Sequence, residues 1–427
     1  VWSRILRGLE GDPGRAGPAA SLLGRLAAAS LLILMTATWQ LWSVTIFPRV
    51  PLVGALLRLP GWVEWTALAA FAAAQLVALI WGFDRRAGRR GVAISVLALG
   101  VLVLADQHRL QPWVYQLLVL EIVLAGLPAA EAIAVTRLLV ASIYFYSALS
   151  KLDRSFFESG GGQIVDGLLE SLRLTGSVTD GNRAVLAGIV VLGELLVALG
   201  LCWRRARRYA WLASIALHAL LLLALGPLGA GNKPGVLLWN LYFIAQNVIL
   251  FGWAGELSVG EQATATASQQ GHEGIARWAI RGLALFVLLF PLTEPLGICD
   301  VWPAWAVYAT GPERARVFVA AADRGKLPEA ARDYLQPPRF EDDLCLLRID
   351  RWSLDASGSP LYPQNRFRLG VALALDATAA IGDGLVVELD GPADRFTGKR
   401  TSRRLQGRVA IAVELERDWL NGFPREH

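Results

Sequence analysis

Nine apolar stretches, bounded by charged residues or by Gly and Pro, run through residues 19–47, 62–82, 91–106, 112–127, 130–150, 184–203, 209–228, 235–254 and 277–297. An α-helix rises about 1.5 Å per residue, so about 20 such residues cross a hydrocarbon core roughly 30 Å thick. With 54% hydrophobic against 18% charged residues, a wholly soluble chain is excluded. The expected fold is an all-α polytopic membrane bundle of about nine transmembrane helices.

Orientation follows from arginine. Arg85, Arg86, Arg89 and Arg90 separate the second and third stretches, and Arg204, Arg205, Arg207 and Arg208 separate the sixth and seventh. With nine crossings both loops fall on the side of Arg4, Arg7 and Arg15. Lys and Arg collect in short cytoplasmic loops, so the N-terminus is expected inside and everything after Leu296 outside. This describes a multi-pass protein of the inner (cytoplasmic) membrane, with the lipid bilayer as its first partner. The first stretch is too long for a cleaved signal peptide and is expected to stay as a helix. The net charge of +5 is explained by arginines flanking the apolar runs, so no nucleic-acid partner is expected. Polar residues Glu256 to Glu273 read as a mobile inner-face linker.

After about residue 299 the pattern changes, which divides the chain into a transmembrane domain (1–298) and a small extracytoplasmic domain (299–427) of α+β or β-sandwich type. Leu344 to Trp352, Arg366 to Ala374, Gly384 to Leu389 and Arg408 to Leu415 read as strands, and Pro328 to Leu335 as a short helix. Gly382 to Gly384 and Asp390 to Asp394 would supply turns. The cysteines are Cys202, Cys299 and Cys345, with no CxxC pair, which excludes a dithiol redox motif and a Cys-rich zinc site. Cys299 and Cys345 would both face an oxidising compartment, so a disulfide and two buried thiols are both open. His108, His218, His272 and His427 lack ligand spacing, and no metal is expected.

Ionisable and strongly polar groups in hydrocarbon are costly and mark candidate sites. They are Asp106, His108 and Arg109, Glu121, Arg137, Lys151, Glu194, His218, and Asn240, Gln246 and Asn247. In the nine-span topology Asp106, Gln107, Arg109, Gln111, Trp113, Lys151, His218 and Asn240 lie toward the outer half and can converge on one cavity open to the outer face. There a desolvated Lys151 can act as base, His218 as relay, and Asp106, Arg109, Trp113 and Asn240 as substrate contacts. Arg137 lies about 21 Å of helix away from Lys151 and belongs elsewhere. Each group also has a structural reading: Lys151 snorkelling to the interface, His218 as a hydrogen-bonded core residue, and Glu194 pairing with Arg137 or His218.

The segment Arg137 to Asp153, RLLVASIYFYSALSKLD, resembles the HTTM superfamily, the membrane domain shared with vitamin K-dependent γ-carboxylase. Its Arg, its Tyr-Phe pair and its Lys-Leu-Asp ending recur there at matching intervals. The resemblance extends over roughly residues 20–255. It implies that Lys151 corresponds to the catalytic base, although that enzyme has a Lys where this chain has Ser150. It also implies a quinone such as vitamin K hydroquinone as cofactor, and a carboxylase-like lyase or ligase, or a quinone-linked oxidoreductase. Asp106, Arg109, Pro112, Trp113 and Tyr115 are similar to that family's acidic, aromatic entry into the next helix, and Glu194 and His218 fall where it has an acidic residue and a histidine. A second resemblance is to DoxX/MauE-type membrane proteins, whose helix also ends in Ser-Lys-Leu or Gly-Lys-Leu. They are usually four-helix units linked to thiol redox systems. That resemblance implies a redox-associated or non-catalytic assembly protein with an extracytoplasmic protein partner.

Overall fold

The structure, a computed structural model, describes residues 6, 9, 13–43, 47–83, 85–175, 178–254 and 274–425. The linker Glu256 to Glu273, Arg4, Arg7, His272 and His427 lie outside the described residues. Among those described, eight helices are long and apolar enough to cross a membrane. In chain order the principal helices of the apolar region are α1 (Pro13–Ala37), α2 (Gly61–Trp81), α3 (Arg86–Ala105), α4 (Pro112–Gly126) and α5 (Ala129–Ser150). They continue as α6 (Gly161–Ser171), α7 (Asp180–Cys202), α8 (Arg207–Leu225), α9 (Pro234–Asn247) and α10 (Ile275–Leu289). The chain is an integral, multi-pass membrane protein.

Two of the expected spans differ in kind. α4 has 15 residues, held between Pro112 and Pro128, and at about 1.5 Å per residue falls short of a hydrocarbon core. The last span changes pitch, because Pro291 and Pro295 remove backbone donors and Phe290–Leu296 tightens into a 3-10 helix. Trp62, Trp65, Trp81, Trp203, Tyr209, Trp253 and Trp278 stay exposed near helix ends, where an amphipathic ring suits the headgroup level.

Contacts divide the chain into two compact units. The first comprises residues 1–34, 72–96 and 112–310. In it α5 packs on α7, α7 on α8, and α8 on both α6 and α9. α6 approaches α8 so closely that a β-carbon at Gly167 would overlap the carbonyl of Ala224. α5 is enclosed on most of its circumference, which lets it carry polar side chains that never meet lipid.

The second unit comprises residues 35–71, 97–111 and 311–427. Its core is a five-stranded antiparallel sheet of β1 (Arg314–Ala320), β2 (Leu335–Pro338), β3 (Leu344–Leu347), β4 (Leu385–Asp390) and β5 (Ser402–Gln406), in the order β2-β3-β1-β4-β5. The helices α11 (Ile349–Ser357), α12 (Asn365–Ala379) and α13 (Gly407–Leu415) complete an α+β arrangement, and α12 packs on β1 and β4. Three of the expected strands are corrected. Arg366 to Ala374 belongs to α12: nearly every residue there is buried, so the apolar pattern has no exposed phase to tell a period of 2 from 3.6. Arg408 to Leu415 is α13, whose buried Ile411 and Leu415 are one helical turn apart. In Leu344 to Trp352 the strand stops at Leu347 and α11 begins.

Candidate functional site

Tyr144, Ser147 and Lys151 share one face of the α5 region at i, i+3 and i+7. α5 stops at Lys151 because Asp153 caps the next segment, its Oδ1 accepting from the Phe156 N–H at 2.9 Å. The Lys151 side chain then turns inward and is only 2% exposed. Its Nζ donates to Glu194 Oε1 at 2.9 Å, to Glu194 Oε2 at 2.8 Å and to Ser147 Oγ at 2.6 Å. An ammonium has three N–H donors, and these three acceptors serve them all. Glu194 comes from α7, so this pair ties α5 to α7. The expected pairing of Glu194 with Arg137 or His218 gives way to Lys151.

Two turns earlier, a second polar chain starts from Tyr144. The Asn240 amide is oriented by its Nδ2, which donates to Val236 O at 2.9 Å, so its Oδ1 faces His218 Nδ1 at 2.8 Å. That contact fixes the tautomer by elimination: Nδ1 carries the proton and Nε2 is the acceptor. Tyr144 Oη donates to Nε2 at 2.6 Å and accepts from Asn247 Nδ2 at 2.8 Å. Asn247 Nδ2 also donates to Ser214 Oγ at 3.0 Å. The imidazole stacks on Phe243 with centroids 4.6 Å apart. A relay that ends on an amide anchored to a backbone carbonyl is a fastening between α5, α8 and α9, with every imidazole nitrogen engaged.

Arg137 solves a separate problem. After α9 the chain widens into a π-helical turn, Val248–Trp253, which loosens the last carbonyls of the helix. The Arg137 guanidinium donates to Leu250 O at 2.9 Å, to Ala254 O at 2.9 Å and to Leu9 O at 2.7 Å, and lies 5.6 Å from the Phe251 ring centroid. A cation at a helix C-terminus is also favoured by the macrodipole. Further along the interior, Gln75 Nε2 donates to Glu121 Oε2 at 2.9 Å and to Ser95 Oγ at 2.5 Å.

Asp106 and Arg109 belong to the second unit, while Trp113, Lys151, His218 and Asn240 belong to the first. Within the first unit His218 bonds to Asn240, and within the second the Arg109 N–H donates to Asp106 O at 3.0 Å. Arg109 pairs with Glu64 at 2.7 Å and donates to the carbonyls of Leu41, Leu102 and Trp42. Glu64 also accepts from Arg49 at 2.9 and 3.0 Å and from Arg425. Asp106 Oδ1 accepts from the His108 N–H at 3.1 Å, and His108 Nε2 lies 2.9 Å from Pro360 O. Burial pushes the Asp106 carboxyl up to about 6 despite the attraction of Arg109. Burial likewise pushes His108 down to about 4.

Cys299 and Cys345 are both buried, free thiols. Each thiol is accommodated within its own unit: Cys299 Sγ lies 3.5 Å from Asp300 O, and Cys345 sits within β3 opposite Val319. Among the described residues, no three His, Cys, Asp or Glu side chains are grouped to hold a metal ion. Sequence reasoning does not single out Ser147, Ser214, Gln75 or Glu64, and it marks Tyr144 only within the Tyr-Phe pair of the Arg137 to Asp153 segment. The register of Tyr144 and Ser147 with Lys151 was the one available signal.

The family model of the methylamine utilisation protein MauE matches residues 129–235, the stretch that carries α5 to α8 with Lys151, Glu194 and His218. Comparison with curated proteins and with solved structures gives no match. The family comparison thus supports the second resemblance and gives the HTTM superfamily no support. Over this quarter of the chain, roughly, the protein is similar to MauE, and α5 to α8 are four helices packed as one group.

Proposed function

We propose that the protein is a membrane accessory protein of the MauE/DoxX type, oriented with its N-terminus inside. In this reading the short α4 also crosses, with local thinning of the bilayer, which makes nine crossings, so the part after residue 299 faces outward and engages an extracytoplasmic protein partner whose assembly or redox maturation it assists. The observation that carries this reading is the full engagement of the Lys151 ammonium and the His218 imidazole. Every Lys151 donor and both His218 nitrogens are spent on neighbouring helices, which is what a fastening needs and what a proton-abstracting centre does not. With no CxxC in the chain, thiol exchange would belong to the partner.

The test is complementation of a deletion strain, with the folded amount measured in parallel. Lys151→Met strands the Glu194 carboxylate and should lower folded protein and complementation together. Adding Glu194→Leu removes the stranded charge and should restore both. A double variant that folds at the normal level yet fails to complement would refute the accessory reading and favour a lysine base.

A further inference from the structure

In the second unit the C-terminal tail bonds to the residues that precede α2 and follow α3. The Asn421 N–H donates to Leu52 O at 3.2 Å, and its Nδ2 to Pro51 O at 2.8 Å. Gln107, just past the end of α3, donates to Asn421 O at 3.0 Å. Arg425 N–H donates to Arg49 O at 2.9 Å, and the Arg425 guanidinium reaches Glu64, which lies in the first turn of α2. Residues 421–425 therefore sit at the depth of the span ends.

Immediately upstream, α13 turns Ile411 and Leu415 into the unit and leaves Val409 and Val413, four residues apart, 76% and 49% exposed. Trp419 follows at 69% exposed, matching Trp62 at 69% in the first turn of α2. Nearby charges are balanced, with Arg403, Arg408 and Arg417 against Glu414, Glu416 and Asp418 and with Arg404 paired to Asp342, and Glu414 accepts from both Arg403 and Arg417. An exposed apolar face on the helix that leads into this tail, followed by Trp and without excess positive charge, suits a zwitterionic lipid surface. We propose that Val409, Val413 and Trp419 form an interfacial anchor that dips into the headgroup region of the bilayer beside the start of α2.

The test uses the full chain in phosphatidylcholine nanodiscs, with Cys202→Ser to remove the exposed thiol and Val413→Cys labelled with an NBD fluorophore. A lipid carrying a doxyl group near its headgroup should quench the probe at least about twofold, and one carrying it near the chain terminus should quench less. Replacing part of the phosphatidylcholine by phosphatidylglycerol should leave quenching unchanged, and adding Trp419→Ser should remove more than about half of it. Val409→Cys repeats the measurement should the first variant fail to fold. Solvent-like emission without quenching overturns the proposal. So does quenching that requires phosphatidylglycerol, or probe protection that arises only when other membrane proteins are present, which would assign the face to a protein partner.

Discussion

Asp106→Asn should make the second unit acid-labile, and His108→Gln should make it acid-stable, because these buried groups carry opposite proton linkages two residues apart. His108 has a folded pKa of about 4 against an ordinary 6.5. Between those values the unfolded chain binds the extra proton, so stability is lost as pH falls from 6.5 to 4, by about 3 kcal/mol at about 1.4 kcal/mol per pH unit. Asp106 has a folded pKa of about 6 against 3.8. There the native state binds the extra proton, so stability is gained as pH falls through 6 toward 3.8, again by about 3 kcal/mol. In the unaltered protein the two nearly cancel. Asp106→Asn keeps the acceptor for the His108 N–H but removes the gain, while His108→Gln keeps a donor for Pro360 O but removes the loss. Opening of the unit is read from pyridyl-disulfide labelling of Cys345, buried in β3, with Cys202→Ser as background. From pH 7 to 4, the labelling of Asp106→Asn relative to the parent should rise on the order of 100-fold. His108→Gln should fall by a similar factor. Profiles parallel to the parent within about twofold would refute the reasoning.

Three further substitutions probe the remaining fastenings. Arg137→Met leaves the carbonyls of Leu250 and Ala254 without their donor and should lower the thermal midpoint sharply; Arg137→Lys should rescue little, since one ammonium does not reproduce a planar fork of donors. Tyr144→Phe deprives His218 Nε2 of its donor and should cost about 1–3 kcal/mol, read by equilibrium unfolding in bicelles. Glu64→Gln leaves Arg49, Arg109 and Arg425 without their shared carboxylate and should release the C-terminal tail, seen as faster tryptic cleavage after Arg417.

The membrane bundle was legible because its signal is long: a run of about 20 apolar residues has few other physical solutions. Of the α+β unit, the change of composition, β4 and the start of β3 were legible. α12 is buried nearly all round and α13 is short, so neither offers the contrast that separates helix from strand, while β1 alternates only over Arg314–Val317 before a run of buried residues, too short a period-2 signal to stand out. At the site, cost in hydrocarbon marked Lys151, Glu194, His218, Asn240 and Arg137 as residues needing partners, and each is bonded to a neighbouring segment in the structure. It could not assign those partners. Arg137 is satisfied by backbone carbonyls freed by a π-helical turn, and His218 by a tyrosine, and neither a carbonyl nor a tyrosine stands out in an apolar sequence.

The central claim, that Lys151 and Glu194 act as one buried fastening, is tested most directly by a double-mutant cycle of Lys151→Met and Glu194→Leu, with unfolding free energies measured in bicelles. The account predicts that either single change costs about 3 kcal/mol, that the double variant costs much less than their sum, and that the coupling is about 2 kcal/mol or more. Additive effects, with coupling near zero and Lys151→Met leaving stability untouched, would contradict it.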